Sequence, residues 1–355
     1  MAVLSPKVLA ISAVTRLYQY PMPRLALCIL ALVSAVVLAQ DSPSPQQPAG
    51  RPIPNRQVPR PPSAGGTKNN AQTDQPTFKV SVKLVNVYTT VVDEHGAPIA
   101  NLKQADFNVT EDGNPEKIAL FKKESELPLS IVIGIDASGS TKKDLKLETD
   151  SAKRFAHDIL RPIDVLSVYS FSEDINEVVP FTADLKRIDR GIGEIVPGSA
   201  TALYDTIYLA SRNLMKRDGR KVMVLITDGG DTYSKIDYQE AVRAATQSEV
   251  LLYSIIMVPV EQSAGRDTGG EHALIQISRD TGGKHYYAKD LGQLDVAFKQ
   301  ISDELRTQYL IGYYPSRRLA SSDFRTIEVK LSPTVPNVNA LQVRHRVGYY
   351  TSPLE

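Results

Sequence analysis

Apolar and polar positions divide the chain into four grammars. The first is an uncharged apolar run from Leu25 to Ala39. A polar stretch follows, with eight prolines between Pro43 and Pro62. From Phe78 the third grammar begins, alternating as FKVSVKLVNVYTTVVD, with β-branched residues that predict strand. Phe107-Asn108-Val109 and Ile118 to Phe121 predict two further short strands, with a turn at Glu111-Asp112-Gly113-Asn114 between them. An antiparallel region of about 50 residues is too small for a comfortable independent sandwich.

The fourth grammar starts at Leu129. SIVIGID is continuously apolar, as strands covered on both faces are. Asp150 to Leu160 then carries Ala152, Phe155, Ala156, Ile159 and Leu160 on one helical face. Strands are predicted at Val165 to Phe171, Ile175 to Phe181, Lys221 to Thr227, Val250 to Met257 and His285 to Ala288. Helices are predicted at Leu203 to Met215, Tyr238 to Gln247, Glu271 to Arg279 and Leu294 to Leu305. Strands alternating with helices predict an α/β fold with a doubly wound, mainly parallel sheet.

After Arg306 the alternating β pattern returns, at Gln308 to Tyr314, Thr326 to Leu331 and Leu341 to Tyr350. Each β segment lacks strands alone. The economical expectation is one antiparallel β-sandwich built from both, with the α/β domain inserted. The expected organisation is a signal peptide at 1–39 and a Pro-rich linker at 40–75. The first sandwich part spans 76–127, the α/β domain 128–305 and the second sandwich part 306–355.

The segment 1–39 reads as a secretory signal because Arg24 precedes the apolar run and Val37-Leu38-Ala39 ends it with small residues. A retained anchor is the alternative, although 15 residues fall short of the ~20 that a spanning helix needs. Met22 is an alternative start. The one cysteine, Cys28, lies inside this run, so the processed chain would have no disulfide. The protein is therefore expected to be exported, whether periplasmic, surface-bound or secreted, with no stable membrane span after cleavage. Its 355 residues carry a net charge of +1. Loss of Lys7, Arg16 and Arg24 would bring that to −2. No basic stripe is interleaved with aromatics, so no nucleic-acid partner is expected.

Sites in a doubly wound sheet form at the carboxyl ends of the strands. Asp136-Ala137-Ser138-Gly139-Ser140 and Thr227-Asp228-Gly229-Gly230-Asp231 both fall there. Between them Gly198 to Asp205 opens a helix. Taken singly, each is an ordinary cap or turn. Three such loops in equivalent places point instead to a hard cation held by oxygen. Ser138, Ser140 and Thr201 would ligate directly. Asp136 and Asp228 would act directly or through water. So few carboxylates leave the ion partly unneutralised, open to an acidic side chain from a protein partner. Magnesium is the expected cofactor, with manganese or calcium as alternatives. Asp205 is read as a first-turn helix acid, and Asp231 as a residue behind the ligands. No Gly-x-Ser-x-Gly elbow, phosphate loop or metal-spaced histidine pair is present.

DASGS at 136–140, Thr201 in TALYD and TDGGD at 227–231 resemble the metal-ion-dependent adhesion site of von Willebrand factor type A domains. The flanks DFNVTEDGNPEKIALF, QYLIGYYPS and VGYY extend the resemblance to a secreted bacterial group common in Acidobacteria. Thr141, where many relatives have Met, and Ala200, where Gly is common, are mild departures. The resemblance implies a non-enzymatic module that binds protein or matrix through the metal. A structural scaffold of an envelope assembly is the alternative, and a metal-dependent hydrolase a remote one.

Overall fold

The computed structural model describes residues 84–123, 127–258, 268–317 and 324–351. The signal-like run, the Pro-rich linker and the strand start at Phe78 lie outside these residues.

The amino-terminal β segment comprises β1 (Val85–Val92), β2 (Phe107–Glu111), β3 (Asn114–Glu116) and β4 (Ile118–Lys123). The α/β part follows as β5 (Leu129–Asp136), α1 (Leu145–Ile159), β6 (Val165–Phe171), β7 (Ile175–Thr182), α2 (Leu185–Gly193) and α3 (Leu203–Met215). It continues with β8 (Arg220–Thr227), α4 (Tyr238–Gln247), β9 (Val250–Met257), α5 (Thr268–Asp280), β10 (His285–Ala288) and α6 (Leu291–Leu305). The last strands are β11 (Tyr309–Tyr313), β12 (Phe324–Leu331), β13 (Gln342–Arg344) and β14 (Gly348–Tyr350).

The central sheet has the order β10-β9-β8-β5-β6-β7, and every pair is parallel except β6 with β7. Both faces are covered, which explains the unbroken apolar runs. Ile131, Ile133 and Ile135 enter one core with α1 and α6, while Val132 enters a second with α3 and α5. β5 and β8 are adjacent, so their carboxyl ends emerge side by side.

The flanking strands form two four-stranded sheets, β13-β1-β11-β4 and β14-β12-β2-β3. Each draws on both ends of the chain: β1 pairs with β11, and β2 with β12. Val87, Ile311, Val109 and Val329 meet in one core between them. In β12 exposed and buried residues alternate along the whole strand, as a one-sided sheet requires. The inserted α/β layout expected from the pattern is thus present.

Some elements differ from expectation. α1 begins at Leu145, five residues before Asp150, and gains a turn that reaches back toward the loop after β5. α2 was not anticipated; Asp184 caps it by accepting from the amides of Lys186 and Arg187. The turn after Glu111 also carries the short strand β3. The single strand expected at Leu341 to Tyr350 is two, in different sheets. The break comes where Val347 donates its amide to the Asp280 carbonyl at 2.9 Å. Two of the three adjacent tyrosine pairs divide between core and surface, Tyr313 buried and Tyr314 exposed, Tyr286 buried and Tyr287 exposed, while Tyr349 and Tyr350 are both half-buried.

Candidate functional site

β5 carries Asp136 to the sheet edge, fully buried. Its Oδ1 accepts the Ser138 amide at 2.8 Å. Its Oδ2 accepts the Thr227 hydroxyl, at the end of β8, at 2.6 Å. Thr141 closes the turn, donating its hydroxyl to the carbonyls of Asp136 (2.8 Å) and Ser138 (3.2 Å). The turn brings Ser138 Oγ and Ser140 Oγ to 3.0 Å from each other. Ser138 is buried and Ser140 exposed, so the pair runs from the interior to the surface.

The second loop is stitched to the first. Gly139 donates its amide to the Ser199 carbonyl at 3.2 Å, and Gly198 to that of Ala137 at 2.6 Å. A Cβ on Gly139 would press on the Ser199 carbonyl at 3.3 Å, so this close approach suits glycine. From the far side Glu173 accepts the amides of Ser199 (2.7 Å) and Ala200 (3.2 Å). Those amides hold its carboxyl down at about 2.

The third loop is stitched to the second. Thr201 donates its amide to the Thr232 hydroxyl at 2.9 Å, and its carbonyl accepts the amides of Thr232 (2.9 Å) and Tyr233 (3.0 Å). α3 begins after Ala202, which has no side-chain oxygen to cap it. Asp231 supplies the cap from the β8 loop, accepting Leu203 N at 2.8 Å and Tyr204 N at 3.2 Å. Asp205 returns the favour, accepting the amides of Lys235 and Ile236. These two acids are committed to backbone amides. At Gly229 the chain turns with φ of +136°, a conformation that side chains other than glycine resist.

The three loops are therefore one bonded unit that carries Asp136, Ser138, Ser140, Thr201 and Asp228. Thr201 is buried and Asp228 half-buried, and neither side chain is hydrogen-bonded by another described residue. Burial pushes the Asp136 carboxyl up to about 6, against its hydrogen bonds to Thr227 and Ser138 and with help from the Asp228 charge. A divalent cation would relieve that repulsion. Among the described residues, no three His, Cys, Asp or Glu side chains form a metal-holding group. The donors here are instead three hydroxyls with two carboxylates, a set that fits a hard, partly hydrated ion such as magnesium. In the bound state Ser138, Ser140 and Thr201 would hold the ion, with Asp136 and Asp228 neutralising it.

Glu148, in the first turn of α1, was missed in the sequence. It is fully buried, and among the described residues neither carboxyl oxygen has a hydrogen-bond partner. Burial pushes it up to about 9, reinforced by the charges of Asp136, Asp144 and Asp228. Its signal was an acid on the apolar stripe Leu145, Glu148, Ala152, Phe155, hidden because the helix was begun too late.

Residues 130–303 match the family model of the von Willebrand factor type A domain. This segment of the chain is a von Willebrand factor type A domain. No curated protein matches the chain significantly. Among solved structures, a von Willebrand factor type A protein from Catenulispora acidiphila is similar at 12% identity, covering 76% of this chain and 75% of that one, with a TM-score of 0.45. An aerotolerance-related membrane protein from Bacteroides fragilis is similar at 20% identity over 50% of this chain and 98% of its own, with a TM-score of 0.41. The corresponding domain of a type V pili tip protein from Porphyromonas gingivalis shares 14% identity over 50% and 94%, with a TM-score of 0.40.

Proposed function

We propose that this protein is an exported binding module that captures a protein partner through a divalent cation, magnesium in the first instance. The cation is held by Asp136, Ser138, Ser140, Thr201 and Asp228, and an acidic side chain of the partner completes its shell. The observation that carries this reading is the bonded unit of three loops, which carries the Thr201 and Asp228 side chains, unengaged by other described residues, together with the Ser138–Ser140 pair. The rim suits an acidic partner. Lys142 and Lys143 follow Thr141, just past Ser140, and Lys235 lies on the β8 loop, all exposed. Tyr233, 55% exposed, adds an aromatic contact on the same loop. The signal-like run supports export, and no described helix is long and apolar enough to cross a membrane.

The test is calorimetric titration of Mg²⁺ and Mn²⁺ into the protein and its Asp136→Ala variant, followed by capture from envelope extract with and without chelator. Saturable uptake lost in the variant, with a chelator-sensitive partner, is the expected result. Capture that persists unchanged after chelation and in Asp136→Ala would favour a metal-independent scaffold.

A further inference from the structure

We propose that Glu148 is a sixth functional residue of the cation site: from α1 it faces the buried side of the ion and accepts hydrogen bonds from the ion's water shell. The inference rests on the cation reading above and adds a residue outside the Asp-x-Ser-x-Ser, Thr and Asp set.

The argument begins from an anomaly. Buried polar groups are nearly always hydrogen-bonded, and one left without partners in an apolar setting is costly. Glu148 is fully buried and both of its oxygens lack a partner among the described residues. Among the described residues, the charges that raise it are acidic: Asp136 at the end of β5, Asp144 before α1 and Asp228 after β8. A stretch selected only for packing would place an aliphatic residue between Leu145 and Ala152 on this stripe.

A cation changes the sign of the balance. With a divalent ion between Asp136 and Asp228, the repulsion that Glu148 meets becomes attraction, and water on the ion offers donors for its free oxygens. Direct ligation is not required, consistent with the described acids forming no three-carboxylate metal cluster. The arrangement matches the general rule that groups behind the ligands orient the ion's shell and tune affinity.

The experiment compares the whole protein with Glu148→Gln, which keeps the shape and mimics the uncharged acid. Mg²⁺ is titrated by calorimetry at pH 7 in two buffers of different ionisation enthalpy, giving affinity and protons released per ion. A thermal melt in chelator confirms that the variant is folded. The expected result is at least about tenfold weaker Mg²⁺ binding, with proton release lowered toward one fewer per ion. A purely structural glutamate would leave the proton count unmoved. Wild-type affinity in the variant, or an unchanged proton count, overturns the role of Glu148 while leaving the cation site standing. Failure of the wild type to take up Mg²⁺ or Mn²⁺ removes the cation reading itself, and this inference with it.

Discussion

The Thr227 hydroxyl donates to Asp136 Oδ2 across 2.6 Å, joining the last residue of β8 to the last residue of β5. That bond satisfies a carboxylate buried at the heart of the site. Thr227→Val keeps the shape and removes the donor. Stability should fall by about 1–3 kcal/mol, the cost of an unsatisfied buried acceptor, measured by urea unfolding. Mg²⁺ affinity should weaken in the same variant, because Asp136 becomes harder to ionise.

Asp231 caps α3 from another loop, so its loss should be felt at both ends of that contact. Asp231→Ala should cost about 1–2 kcal/mol in chemical unfolding, as the loss of a helix cap does. Cation binding should weaken as well, since the amides of Leu203 and Tyr204 lose the oxygen that locks the loop after Asp228.

Glu173 is half-buried and is not one of the proposed ligands, yet it latches the amides of Ser199 and Ala200. Glu173→Ala should weaken Mg²⁺ binding severalfold with little change in melting temperature. An unchanged affinity would mean that Thr201 is positioned without this latch.

Asp164 provides the contrast, at the opposite end of β5. It is fully buried, accepts the Leu129 amide at 2.8 Å and pairs with Arg161 at 2.8 Å. Asp164→Ala should destabilise the protein by about 1–3 kcal/mol, because it leaves the buried Leu129 amide without its acceptor. Mg²⁺ affinity should be unaffected wherever the variant is folded. Together with Thr227→Val, this separates loss of stability from loss of the site.

The metal-free protein should lose stability as pH rises. Glu148 is held at about 9 against an ordinary 4.5, so between those values the unfolded chain has released a proton that the folded chain keeps. The contribution to unfolding free energy therefore falls with pH, by at most about 1.4 kcal/mol per unit. Urea unfolding in chelator at pH 5, 7 and 9 measures the slope. Glu148→Gln should flatten it.

The central strands were legible because burial on both faces writes an unmistakable apolar run, as in SIVIGID and KVMVLIT. The five proposed ligands were legible because each sits in a short local motif at a strand end or helix start. What binds the loops together was not. Glu173, Thr227 and Thr232 act through partners 26, 91 and 31 residues away, and no local pattern marks such bonds. α2 was overlooked because its apolar positions, Leu185, Ile188 and Ile192, are thinly set among charges and two glycines. The break between β13 and β14 depends on a backbone bond to Asp280 at the end of α5, a tertiary event. Glu148 was passed over for a simpler reason: it lies before Asp150, where the apolar face alone starts the helix, and inside the extra first turn of α1.

β4 leads into the α/β part and β11 leads out of it, and the two strands pair, with Tyr309 opposite Lys123. β1 pairs with the same exit strand, placing Val85 opposite Tyr313 at a separation of 228 residues. Closing a loop that long is slow when the chain within it is unfolded. Once the central sheet has formed, its two chain ends already stand side by side. The sandwich should therefore assemble second, on a template provided by the domain it surrounds. A damaged central sheet would leave β1 without β11 and β2 without β12, exposing strand edges of the kind that pair with other chains. In this architecture the outer sheets act as a proofreading seal, closing only around an insert that has already folded.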